Sequence, residues 1–218
     1  MAEARDPGPT RARARYHRDS PEFGRVVSLS DAVFAIAMTL LVLTLDVPAV
    51  APARLGAALA DQVPQLAAFA LAFALVANIW WQHHKLFALL GSLEAGLVGL
   101  NLALLGVVAL VPYPTSLVGS APTARAAVLL FIATFVLLNL LHLALVLRAQ
   151  AAAAWQQRPS QRLFYWLVFT WIAGIAVLAL AAGLTLWRPT AGLVVLVVSI
   201  ALGPVAARRS LARRGPSA

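Results

Sequence analysis

Arg25-Val-Val-Ser-Leu29-Ser30-Asp31-Ala-Val-Phe-Ala-Ile36-Ala-Met-Thr39-Leu40-Leu-Val-Leu43 decides what kind of solvent this chain is built for. From Ala32 to Leu45 it contains no charge, and the whole apolar run from Val26 to Leu45 is about 20 residues, the length that crosses a hydrocarbon core as a helix. A carboxylate inside such a helix is costly, so Asp31 needs compensation. It lies about one and a half turns into the run, near one interface, where the cost is smaller than at the centre. Two readings suit it there: an acid favoured by the helix dipole, or a member of a buried polar network that ties this helix to its neighbours.

Helical geometry separates two faces. At about 100° per residue, Leu29, Ala32, Ile36, Leu40, Leu43 and Val47 fall on one stripe, with Thr39 on its shoulder, and Asp31 projects about 140° away from Ile36. An apolar stripe of this kind faces lipid, packs against other helices, or lines a pore. Spacing alone does not choose among these.

Five further apolar runs follow, at about 64–82, 95–117, 124–147, 163–187 and 191–207. Pro64 opens the second at a helix-starting position, and Pro112 and Pro114 break the third late. The expected fold is all-α, with six transmembrane helices per subunit. Residues 1–24 read as a disordered basic tail, 25–207 as the six-helix membrane domain, and 208–218 as a second basic tail. The loops are too short for a soluble catalytic domain, although the AQAAAAWQQ run at 149–157 could prolong a helix beyond the bilayer.

Composition agrees. The chain of 218 residues is 61% hydrophobic and 11% charged, far from the balance of a water-soluble domain. Its net charge is +9, but the basic residues sit at the ends of apolar runs, where they act as topology signals rather than as a nucleic-acid surface. With six spans, fourteen Lys and Arg fall on the side of the termini and three on the other, Arg54, Arg125 and Arg188. This places both termini in the cytoplasm of a multi-pass protein of the cell membrane. Trp80, Trp81, Tyr113, Trp166 and Trp187 fall near span ends, as interfacial aromatics do.

Few residues offer chemistry. His83 and His84 point about 100° apart and make a poor metal pair, whereas His83 could donate to Asp31 at the same depth. Asn78, Asn101, Asn139 and His142 are polar residues inside spans, suited to interhelical hydrogen bonds. Phosphate-binding loops, nucleophile elbows, zinc-protease and dinucleotide motifs are all missing, so no enzyme, cofactor or metal is expected. A TVGYG-type carbonyl filter is missing too.

Three motifs in order carry a resemblance. Arg25-x-x-x-Leu29-Ser30-Asp31 with the following AxxAIxxTLLVL, then Trp80-x-x-His83-His84-x-Leu86-Phe87, then Asn101 with Val111-Pro112-Tyr113-Pro114-Thr115, resemble the first three helices of the transmembrane protein 175 potassium channels in their bacterial form. The family pattern has Phe where this chain has Leu29. The likeness covers the first to the third span. It implies a homotetramer in the lipid bilayer around a central pore lined by the first helix, with K+ as permeant ion. It implies that Ile36 and Leu43 form apolar constrictions with Thr39 a polar ring between them. Arg25, Ser30 and Asp31, braced by Trp80, His83 and Asn101, would form a polar network away from the pore. Two other classes are compatible with the same helices: a proton-coupled secondary transporter and a non-conducting membrane scaffold subunit.

Overall fold

The computed structural model describes residues 15–199. Five rods are long and apolar enough to cross a membrane: Pro21–Thr44, Val63–Leu89, Ala95–Ser120, Arg125–Ala151 and Gln161–Trp187. They comprise α1 (Pro21–Leu40) with a 3₁₀ turn at Leu41–Thr44, α3 (Val63–Leu89), α4 (Ala95–Leu110) continued by α5 (Pro112–Ser120), α6 (Arg125–Ala151) and α7 (Gln161–Trp187). A short helix, α2 (Leu55–Asp61), lies in the loop before α3. The sixth expected span is described as an apolar helix α8 (Pro189–Ser199), and its remainder lies outside the described residues. α8 folds back on α7, because a Cβ at Gly192 would collide with Thr185 Oγ1 and the Ala181 carbonyl.

α1 starts where sequence provides a start. Ser20 Oγ accepts from Phe23 N at 3.3 Å, Pro21 occupies the first turn, and Glu22 meets the positive end of the dipole. The break at Pro112 falls as expected, between α4 and α5. α4 packs against α1 and α6, α3 against α1 and α5, and α7 chiefly against α6, so α1 and α7 lie on opposite flanks. The core between them is apolar and continuous, with Phe34, Leu41, Leu97, Leu104, Phe131, Phe135 and Leu138 sealed inside. On the outer flank, Trp166 and Trp187 are exposed six turns apart along α7, about 32 Å, close to the thickness of a hydrocarbon core.

The expectation of a solvated tail fails for its last ten residues. Strand β1 (Arg15–His17) pairs antiparallel with β2 (Ser92–Glu94), with Arg15 opposite Glu94 and His17 opposite Ser92. Arg18 Nη1 donates to the carbonyls of Ala88 and Leu90 at 2.8 and 2.9 Å, at the end of α3, and Arg15 Nη2 donates to Ala152 O at 2.9 Å, at the end of α6. Both arginines meet the orphan carbonyls and negative dipole ends of helices, a better environment than free solvent. Residues 1–14 and 208–218, the remaining tails, lie outside the described residues.

The alanine run prolongs α6 only as far as Ala151. The helix ends in a Schellman motif: Ala154 N donates to Ala149 O at 2.9 Å, Ala153 N to Gln150 O at 3.2 Å, and Ala153 sits at φ 49°. Tertiary bonds outweigh alanine's helix preference here. Ala154 O accepts from Gly91 N at 2.8 Å, Gln156 N donates to Leu89 O at 2.9 Å, and Trp155 Nε1 donates to Gln150 Oε1 at 2.8 Å. Arg148 Nε also donates to Glu94 Oε1 at 2.5 Å, over the first turn of α4. The ends of α3 and α6, the start of α4 and the residues before α1 thus form one hydrogen-bonded collar at one end of the bundle. The same packing carries α3 on to Leu89, seven residues past its expected end at Gln82, because His83, Leu86 and Phe87 are buried.

Candidate functional site

The two faces of α1 have opposite fates within the subunit. Ser30, Phe34, Ala37 and Leu41, spaced by about a turn, are buried against α3 and α4. The opposite stripe is uncovered: Leu29, Ala32, Ile36, Thr39, Leu40 and Leu43 are all exposed, with Ile36 at 57% and Leu43 at 75%. Below the stripe, Arg25 is also exposed and makes no hydrogen bond among the described residues. It lies three turns from Ile36 on the same face, so within the subunit it is separate from the polar network assigned to it by resemblance.

Of the other expected members, four meet in two separate pairs. Trp80 Nε1 donates to Asp31 Oδ1 at 2.9 Å. Asn101 Nδ2 donates to Ser30 Oγ at 3.0 Å, and Ser30 Oγ in turn donates to Val26 O at 2.9 Å. These bonds tie α1 to α3 and to α4. Of the two readings of Asp31, the interhelical one holds, and the carboxylate points away from the Ile36 stripe.

His83 does not bond Asp31. Its place there is taken by the Trp80 indole one turn earlier, and His83 Nδ1 instead faces His142 Nε2 at 3.3 Å. His142 Nδ1 lies 3.0 Å from the Leu138 carbonyl, which can only accept, so Nδ1 carries the proton. In the neutral pair His142 Nε2 is then the acceptor and His83 Nδ1 the donor, which leaves His83 Nε2 a lone pair. That atom is buried with no partner among the described residues, beside a cavity lined by Phe23, Asp31, His84 and Phe87. Phe34 flanks His83 with ring centroids 5.4 Å apart, and Trp171 stacks on His142 at 4.3 Å. A polar and aromatic line therefore crosses the bundle from α1 through α3 and α6 to α7. The coupling of His83 to His142 was not visible in the sequence, where the two are 59 residues apart and share no motif.

Two other polar residues differ in placement. Asn139 donates to Phe135 O at 2.8 Å and lies against Gly174 of α7, where a Cβ would meet its Oδ1. Asn78, near the middle of α3, is exposed on the subunit surface.

Thr39 Oγ1 donates to Ile36 O at 2.8 Å, so its lone pairs remain turned outward. Beyond the 3₁₀ turn, Asp46 is held by α3: Gln65 Nε2 donates to Asp46 Oδ2 at 2.7 Å, Asp46 N donates to Gln65 Oε1 at 3.2 Å, and Gln62 Nε2 donates to Asp46 O.

Known proteins share this arrangement. The family model described as endosomal/lysosomal potassium channel TMEM175 matches residues 25–112. A curated potassium channel of Streptomyces collinus is 44% identical over 97 residues, which is 44% of this chain and 47% of the relative. A potassium channel of Chamaesiphon minutus is 36% identical over 123 residues, 54% of this chain and 61% of the relative. The chain thus spans about half the length of these curated relatives. The crystal structure of a lysosomal potassium-selective channel TMEM175 homolog from Chamaesiphon minutus superposes with a TM-score of 0.76 at 26% identity, over 85% of this chain and 97% of that one. A variant of the potassium channel MtTMEM175, solved with a nanobody–MBP fusion, shares the fold at TM-score 0.59 and 19% identity, over 94% and 99% of the two chains. Residues 25–112 match the TMEM175 family model, and over most of the chain the fold is similar to that of the TMEM175 homolog.

Proposed function

We propose that this chain is the subunit of a potassium-selective channel, a homotetramer in which four copies of α1 surround a central pore. The family model that matches residues 25–112 is described as an ion channel, not an enzyme. The observation that carries the reading is the uncovered stripe of α1. A helix otherwise packed on two neighbours leaves Ile36 and Leu43 bare, on the residues matched to the family signature. Exposed Asn78 supports further coverage by other copies, since a mid-span amide facing lipid is expensive.

Ile36 and Leu43 form two apolar collars that expel water when narrow. Thr39 lies between them. Its hydroxyl proton is spent on Ile36 O, so the oxygen is left to replace part of an ion's hydration shell. Ser30, Asp31, Trp80, His83 and Asn101 hold α1 in register behind the pore rather than touching the ion. In the six-span reading α8 belongs to the sixth span, and both termini share one side. The collar end, which carries Arg15, Arg18, Lys85, Arg148, Arg158 and Arg162, faces the cytoplasm, with the protein in the plasma membrane of a bacterium. Permeation is passive and K+ is the only small partner required.

The test is potassium-driven flux in proteoliposomes. Ile36→Asn wets the collar and raises flux severalfold, including flux of Na+, without loss of the assembled protein. Unchanged flux from a folded, assembled variant removes Ile36 from the constriction.

A further inference from the structure

We infer that Asp46 collects cations at the pore mouth opposite the collar, and that its two glutamine partners exist to fix this charge without cancelling it. The inference rests on the reading that α1 lines the pore.

Asp46 follows directly on that lining. It is three residues beyond Leu43, and its neighbour Val47 is 90% exposed. An exposed loop after a 3₁₀ turn is ordinarily free to move, yet this residue is held at three points. Gln62 binds its carbonyl, and Gln65 binds both its amide and one carboxylate oxygen. Both partners are neutral amides. An Arg or Lys would hold the carboxylate equally well but erase its field. Here the full negative charge stays in place, and Asp46 forms no ion pair among the described residues. Its other oxygen, Oδ1, is left for water or a passing cation.

The basic residues of this end are not paired with Asp46 among the described residues. Arg188 follows α7, which packs chiefly on α6, while Arg125 opens α6 and Arg54 sits in the 3₁₀ turn before α2; none of the three forms an ion pair with Asp46. In a tetramer, four fixed carboxylates would ring the mouth, each held by neutral amides. Such a ring raises the local cation concentration and the rate of entry. Its reach is set by screening, about 30 Å at 0.01 M salt and about 3 Å at 1 M.

The experiment is single-channel recording of wild type, Asp46→Asn and Ile36→Asn across KCl concentrations. Asparagine keeps an acceptor for Gln65 and removes only the charge. The expected result is a conductance for ions entering from the Asp46 side lowered about two- to threefold in dilute KCl, converging with wild type near 1 M. Entry from the collar side changes less. If the Asp46→Asn curve superimposes on wild type while Ile36→Asn alters conductance, the pore reading stands and this inference fails. A loss that is equal at every salt concentration marks a structural role and overturns it as well. If neither variant differs from wild type, both readings fall.

Discussion

Replacing Ser30 by alanine tests how α1 is held to α4. The Ser30 hydroxyl accepts from Asn101 Nδ2 at 3.0 Å and donates to Val26 O at 2.9 Å. Asn101 has no exposed surface, and its Oδ1 is without a partner among the described residues. Ser30→Ala therefore strands the other half of the same amide. A stranded buried polar group costs about 1–3 kcal/mol. In membranes the measured range for side-chain hydrogen bonds is lower, averaging about 0.6 with a maximum near 1.7 kcal/mol, because the reference state also finds partners. An expected cost of about 1–1.5 kcal/mol follows where the two ranges overlap. Asn101→Leu behaves differently. It removes an amide that was only half satisfied, and Ser30 keeps its bond to Val26, so the change is within about 0.5 kcal/mol of neutral. The double variant then recovers most of the Ser30→Ala loss, a coupling of about 1 kcal/mol. Equilibrium unfolding in mixed micelles, followed by tryptophan fluorescence, measures all four species. A double variant no more stable than Ser30→Ala refutes the argument, because the Asn101–Ser30 bond would then not be the source of the cost.

Two further changes probe the network and the collar. Trp80→Phe removes the one side-chain N–H that Asp31 receives among the described residues; with a bond to a charged acceptor contributing about 1.5–3 kcal/mol, assembled protein is expected to fall while the proposed K+ over Na+ preference is retained, and lost selectivity in an intact assembly would contradict the bracing role. Ala153→Gly relieves a left-handed residue at φ 49°, a conformation that costs a non-glycine residue about 1–2 kcal/mol, so unfolding should shift in the stabilising direction; a destabilised variant would show that the Schellman end is not what fixes this turn.

Much of this architecture could be read directly from the residues. Runs of about 20 apolar side chains have few alternatives to a spanning helix, and both the Pro112 break and the inward turn of Asp31 follow from backbone chemistry and a 100° step. The ends of the spans were harder. α3 outruns its apolar segment because His83 and Phe87 are buried by neighbours that hydropathy does not register. Arg15 and Arg18 look solvated among Pro, Gly and Ala, and their partners are carbonyls at helix ends, which no residue type announces. His83 was linked to Asp31 by depth alone. Its true partner, His142, depends on which faces of α3 and α6 meet, a tertiary fact.

The collar also has a consequence for synthesis. Arg15 reaches Ala152 across 137 positions, so this contact cannot form until the α6 segment has been threaded and its end has turned. Until then the root of α1 is held only by the end of α3 and by β2. Shortening the segment before α1 would leave insertion of the later helices intact and weaken the last closing step, when Arg15 clasps the end of α6.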